Sequence, residues 1–346
     1  MKKMKNPLVL FSAALFFVFT ACTNSVDSNS TNEINPKFPT PIAAGEDGSA
    51  GTDGTYVLFG EWPQSLLDDS SIIDKTVSKT VGMFTYYKGG NDWYAKIEAD
   101  PENPDSYDTY YKVEPIKWRV LNPTAKGSEK KILLAEKILI NCPYYDYGET
   151  RKIGDDDKIE ANNYEHSRVR AFLNGLEYQV KANNNAAQMK KGNFKNKGFL
   201  HTAFTKEERA AIADTSVVND ARSTFPDVDD YAEKWNNGRN QYARDTPTSD
   251  KIFLLSEQEA TKKQYGFVEF NEPGQSRILK VTDFAKAMGV QYTPNELYGG
   301  YWWLRSPYYG EKDEARYVND SGKATPCITV LSSHVGVVPA LCLIQK

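Results

Sequence analysis

Apolar positions first gather into an ordered pattern at Tyr56-Val57-Leu58-Phe59, a β-favouring run stopped by Gly60. Residues 68–108 are polar and aromatic, and read as a strand or two within an insertion. Ile116, Trp118 and Val120 then alternate with Lys117, Arg119 and Leu121, a strand with one strongly apolar face. Lys131 to Ile140 holds another strand that ends before Pro143. Residues 146–165 are charged and read as a loop. Ser167 caps a helix that carries Val169, Phe172, Leu173 and Leu176 at helical spacing. After a polar stretch, Thr205 and Glu208 form a capping box opening a short helix to Ala213. Residues 219–250 read as a polar insertion, followed by a strand from Lys251 to Leu255. Ser256 with Glu259 forms a second capping box for a helix to Gln264, and Thr282 caps a third helix ending near Gly289. The C-terminal part is β-rich. Tyr301–Leu304 is strand-like, and Glu314–Val318 can pair with Cys327–Leu331 across the turn Asn319-Asp320-Ser321-Gly322. Val335–Ile344 is the last strand, with Pro339 favouring an edge or a bulge. Short strands, a few separated helices and long polar insertions predict an α+β fold.

The N-terminus has a different pattern. Lys2, Lys3 and Lys5 precede a continuous apolar run from Leu8 to Phe19, which closes on Phe19-Thr20-Ala21-Cys22. The run is shorter than the roughly 20 residues that cross a bilayer, so it reads as a secretory signal over residues 1–21. Small residues before a cysteine resemble the lipobox of bacterial lipoproteins, with Phe19 departing from the usual Leu. That resemblance implies lipidation of Cys22 and a bilayer partner through its acyl chains. The protein would then sit in the bacterial cell envelope, periplasmic or surface-exposed, for example on the outer membrane. An ordinary secretory signal with a chance cysteine is the alternative. Residues 22–54 are Ser, Thr, Asn, Pro, Gly and Asp with few large apolar groups, so a flexible tether is expected. Residues 55–346 form a single domain.

Charge narrows the partners. The 346 residues carry 42 Lys and Arg against 46 Asp and Glu, a net −4; without the three signal lysines it is 39 against 46, or −7. No basic stripe is present, which argues against nucleic acid. The chain has 21 tyrosines and six tryptophans, and such rings serve cores and interfaces alike. With Cys22 assigned to lipid, Cys142, Cys327 and Cys342 remain. Cys327 and Cys342 flank the C-terminal strands and can approach each other as a disulfide; otherwise all three cysteines are small core residues.

Seven segments occur in order: PIKWRVL (115–121), ILLAEKIL (132–139), HSRVRAFLN (166–174), AFTKEER (203–209), DKIFLLSEQEA (250–260), YWWLRSP (301–307) and GVVPAL (336–341). Together they resemble a bacterial family of uncharacterised extracellular domains. That family is in turn similar to the C-type-lectin-like fold of the formylglycine-generating-enzyme type. The resemblance implies a C-type-lectin-like mixed sheet with a few helices. Val338 stands where the family commonly has Arg, which removes any ion pair made there. Cys327 and Cys342 lack the copper-binding context of the oxidases, so the fold carries over and the oxidase chemistry does not. The calcium elements of C-type lectins are also out of order. Trp235-Asn236-Asn237 precedes Glu272-Pro273, and Asp155–Asp157, Asp227, Asp229 and Asp230 read as solvated loop charge.

Candidate chemistry concentrates near the C-terminus. Tyr301, Trp303 and Arg305 share one strand face, and Tyr308 and Tyr309 follow. These five are the candidate binding residues, as a stacking platform or interface anchor; the alternative is that both faces are buried and Arg305 is a paired structural residue. Arg119 and Arg170 are expected to pair with buried carboxylates. Catalysis has little support. His166, His201 and His334 show no metal-ligand spacing, and there is no Gly-x-Ser-x-Gly elbow and no Gly-rich phosphate loop. No catalytic residue, metal or cofactor is assigned. The expected function is a non-catalytic, membrane-anchored module that binds a host protein or a glycan. An extracellular enzyme, either a relative of the formylglycine-generating oxidases or a glycosidase, and a structural envelope protein are the alternatives.

Overall fold

The computed structural model describes residues 40–41, 56–122, 131–153, 156–179, 191–219, 247–269, 272–308, 310–324 and 327–344. Cys22, the signal segment, Trp235, the Asp227–Asp230 group and Tyr309 lie outside them. The fold is α+β, with several sheets and four short α-helices among the described residues.

The organising element is the strand Thr109–Val120. Its side chains alternate as the sequence requires, with Ile116 and Trp118 buried and Lys117 half-buried between them. Tyr56–Leu66 pairs antiparallel along one side of it, from Tyr56↔Arg119 to Leu66↔Tyr111. On the other side two different strands take turns. Asp92–Ile97 pairs with its first part and Lys131–Ala135 with its last. Pro115 falls between those two partners, so its missing N–H costs no ladder bond on that side. The sheet continues outward through Phe84–Gly89 to the edge strand Ile73–Val81, and inward through Ala340–Leu343 to Ile252–Phe253, nine strands in all. Residues 68–108 therefore supply three strands of this sheet. Its outermost strand carries the exposed Lys75 and the half-buried Lys79, and charge of that kind discourages further pairing. Thr40–Pro41, within the stretch expected as tether, pairs with Val57 and Leu58.

A second sheet of five strands runs Cys327–Thr329, Glu314–Val318, Trp302–Pro307, Gly336–Val337 and Ile140–Asn141. The expected hairpin forms with Arg316 opposite Cys327. The last strand divides at Pro339. Gly336–Val337 belongs to the five-stranded sheet and Ala340–Leu343 to the nine-stranded one, while the Pro339 carbonyl accepts the Ala135 N–H at 3.0 Å. Pro339 thus marks a crossing between sheets. Val338 is fully buried beside it.

The helices follow their caps. Ser167 Oγ accepts the Arg170 N–H at the start of Arg168–Asn174, and Gly175 closes it at φ 66°. The Thr205–Glu208 capping box opens Lys206–Ala211, and Thr282 caps Asp283–Ala287. At Ser256 the expected helix does not form. Both capping bonds are made, Ser256 N–H to Glu259 and Glu259 N–H to Ser256 Oγ, but only two 3-10 turns follow. Lys262 between them is extended (ψ 116°), which ends the helical path after one turn.

Four tryptophans are fully buried: Trp62, Trp118, Trp302 and Trp303. Each indole N–H donates to a backbone carbonyl, those of Leu139, Phe59, Arg277 and Cys142. Each ring therefore contributes its full apolar area without leaving a donor unpaired.

Candidate functional site

The strand expected to offer an aromatic platform is buried on both faces from Trp302 to Pro307. Trp303 packs its ring on Tyr144, centroids 5.5 Å apart, and is 0% exposed. Arg305 is held by Glu259, by the Leu254 carbonyl at 2.7 Å and by the Val218 carbonyl at 3.0 Å. The platform reading is thus corrected for Trp303 and Arg305. A second layer covers each face of the strand, and a single strand's sequence does not reveal that. Tyr308 is half-buried, with Arg316 over its ring at 4.8 Å. The disulfide is corrected too. Cys327 and Cys342 are not joined to each other; they lie on strands of different sheets, opposite Arg316 and Ile132 respectively. Cys142 is free and buried, and burial pushes its thiol up to about 11. Arg170 pairs with the buried Asp250 at 2.8 Å, as expected, while Arg119 forms a two-pronged pair at 2.7 and 2.8 Å with Glu136, which is only half-buried.

Of that set, Tyr301 adjoins an exposed loop. It is half-buried and packs on Tyr317 at 5.6 Å between centroids. Immediately before it lies the loop 291–300. Tyr292 and Gly300 close the loop's base as an antiparallel bridge, and the Tyr301 N–H donates to the Gln291 carbonyl at 3.1 Å. Inside the loop, Lys280 Nζ donates to three carbonyls, those of Asn295, Glu296 and Tyr298. Asn295 Oδ1 accepts the Leu297 N–H at 2.9 Å. With its interior carbonyls gathered on one ammonium, the loop turns its side chains outward. Leu297 is 68% exposed, Tyr292 41% and Tyr298 38%.

The neighbouring turn fixes the loop's position. Thr293 Oγ1 donates to Asp320 Oδ2 at 2.5 Å, and the Gly299 N–H donates to the Asp320 carbonyl at 2.9 Å. Gly299 and Gly300 have no room for a side chain. A Cβ on Gly299 would stand 2.4 Å from the Leu279 carbonyl, and one on Gly300 2.4 Å from a Val281 methyl. Burial, and then the charge of Asp320, raise the Tyr301 phenol above its usual range. Tyr317 is raised as well, by burial first and then by Tyr301, Cys327 and Asp320. Both hydroxyls stay protonated donors at neutral pH.

Two other polar features merit comparison. A cleft of about 120 Å³ is lined by Glu165, His166, Arg170, Glu177 and Tyr178. It is well below the ~300 Å³ at which small-molecule sites begin. The second is a pair of carboxyls two residues apart. Glu259, held by Arg305 and Ser256, lies below its usual range even though burial works the other way. Glu257 is 1% exposed and lies 3.3 Å from Arg316, and neither of its oxygens accepts a hydrogen bond among the described residues. Burial pushes it up to about 8, against the attraction of Arg316.

A carboxyl raised on folding holds its proton in the native state where the unfolded chain has lost it. Its contribution to stability is complete below its unfolded value of 4.5 and is lost as pH rises through about 8. Replacing Glu257 by Gln is therefore expected to flatten the decline of stability between those limits. Urea denaturation at a series of pH values measures this; parallel profiles for the two proteins would contradict it.

Among the described residues no group of three or more His, Cys, Asp or Glu is placed to hold a metal ion, and no helix is long and apolar enough to cross a membrane. No curated protein and no solved structure matches the chain. Residues 128–345 match a family described as a domain of unknown function. That span includes the segments from ILLAEKIL to GVVPAL and the whole of the loop 291–300, while PIKWRVL and the strands before it precede it. The match covers more than half of the 346 residues, so the chain belongs to the DUF6273 family.

Proposed function

We propose that this protein is a membrane-anchored envelope lipoprotein whose folded domain binds an extracellular protein or glycan through the loop 291–300, without catalysis. One observation carries the reading. Of the ten large apolar side chains exposed among the described residues, Tyr292, Leu297 and Tyr298 fall within seven consecutive positions, and the other seven are scattered from Leu66 to Ile344. Single exposed apolar residues are ordinary, whereas a cluster on a braced loop marks a contact surface. The bracing by Lys280 and Asp320 supports the same reading, because a loop ordered in advance loses little freedom on binding.

Lipid attachment at Cys22 rests on the lipobox, and the long polar segment after it would hold the domain away from the bilayer. We also propose the C-type-lectin-like form of the α+β fold. Its support is the ordered set of Trp-Arg, Ser-x-x-Arg, Leu-Leu-Ser and Trp-Leu-Arg-Ser-Pro segments. An experimental structure superposed on a formylglycine-generating enzyme tests that form.

The binding role is tested by presenting the full-length chain to arrays of extracellular-matrix proteins and glycans. The double variant Tyr292→Ala/Tyr298→Ala is expected to lose at least about tenfold in affinity for whichever probe binds, the scale of a lost hot spot. Equal binding by both proteins would place the contact elsewhere.

A further inference from the structure

We infer that the ligand of the loop 291–300 is a neutral oligosaccharide. The inference rests on the binding role just proposed and narrows it to a ligand class. Three features of the loop's chemistry combine. The first is the exposed apolar set itself. Tyr298 and Tyr292 present ring surface of the kind that covers the C–H face of a pyranose, and Leu297 extends it. A protein partner of ordinary size engages some 20–30 residues a side, far more than this loop supplies; one or two sugar rings match it better.

The second feature is charge. Both lysines at the loop are committed. Lys280 Nζ is bound by the carbonyls of Asn295, Glu296 and Tyr298, and Lys286 donates to Asp283 at 2.8 Å while lying 5.3 Å from the centre of the Tyr292 ring. The acids Glu296 and Asp320 stand on the loop and its supporting turn. A sulfated or uronic-acid polymer would meet carboxylates and no uncommitted ammonium from these two lysines. A neutral sugar incurs no such repulsion.

The third feature is Asp320. Its Oδ2 is fixed by Thr293 and its backbone carbonyl by Gly299, so the carboxylate is oriented before a ligand arrives. A fixed carboxylate beside an aromatic surface suits a sugar. Hydroxyls donate to the acid while the ring's apolar face stacks, and each interaction is stronger where water is excluded.

The test titrates the full-length chain with neutral tetrasaccharides built from hexoses and N-acetylhexosamines, and with a heparin tetrasaccharide, at low and high salt. The expected result is saturable binding of at least one neutral probe that changes little with salt. It should weaken at least about tenfold in Tyr298→Ala and in Asp320→Asn, with melting temperature unchanged. Binding of heparin alone, abolished by salt, would overturn the neutral-sugar assignment; if Tyr298→Ala also lost it, the loop would remain the binding surface. Absence of binding to every saccharide by a chain that still binds a matrix protein through Tyr298 would likewise overturn the ligand class alone. Neutral-sugar binding untouched by Tyr298→Ala and Tyr292→Ala would overturn the assignment to this loop, the sugar then binding elsewhere on the protein.

Discussion

Replacing Arg305 by Ala is expected to cost about 3 kcal/mol of stability, the lower end of the range for a buried ion pair, because the Glu259 side chain remains 29% exposed. Arg305 lies on the central strand of the five-stranded sheet and is 2% exposed. Its guanidinium meets both oxygens of Glu259 and the carbonyls of Leu254 and Val218. Glu259 also accepts the Ser256 N–H, so the pair joins the capping box at 256–259 to that strand. Truncation leaves a carboxylate and two carbonyls facing the gap, and desolvation of those groups is the main cost. Lysine restores the charge but not the planar fork, so Arg305→Lys is expected to recover only part of the loss. Urea unfolding measures both. A loss below about 1 kcal/mol would put the pair in the class of exposed salt bridges.

The second large effect is at Trp303. Trp303→Ala removes the largest kind of side chain from a fully buried position, and a penalty of about 3–5 kcal/mol follows for an aromatic core truncation. The ring's packing on Tyr144 and its bond to the Cys142 carbonyl go together. Trp303→Phe keeps part of the apolar area and leaves that carbonyl without its donor, at about 1–3 kcal/mol. Thermal unfolding followed by tryptophan fluorescence checks both variants. A folded Trp303→Ala with native stability would restore the platform reading of this strand.

What could be read from the sequence was mostly local. Ser167, Thr205 and Thr282 cap the helices expected of them, because a cap depends on a few consecutive residues. The 314–318 hairpin was legible from its turn. The capping box at Ser256 was legible as a hydrogen-bond pattern, but not as one that stops at Lys262.

Longer-range features were not legible. Alternation along Trp302–Pro307 shows two faces but not that both are covered. A continuous strand at 335–344 does not announce that Pro339 divides it between sheets. The same limit hid that Trp303 and Arg305 are buried while the loop just before them is exposed. Pro294 and Asn295 are turn residues between two tyrosines, and Gly299-Gly300 marks a close backbone approach. Those signals name a tight loop, but the exposure of its tyrosines shows only in the fold, where Lys280 and Asp320 hold the loop.

In the proposed arrangement the loop 291–300 binds and the strand 302–307 supports it. The most direct test is to record the melting temperature and the binding isotherm of Tyr298→Ala on one sample, with the strongest probe from the arrays. The expected result is an unchanged melting temperature, within the ~0.5 kcal/mol typical of surface substitutions, and binding reduced at least about tenfold. Unchanged binding would contradict it, as would a collapse of stability that makes Tyr298 a structural residue.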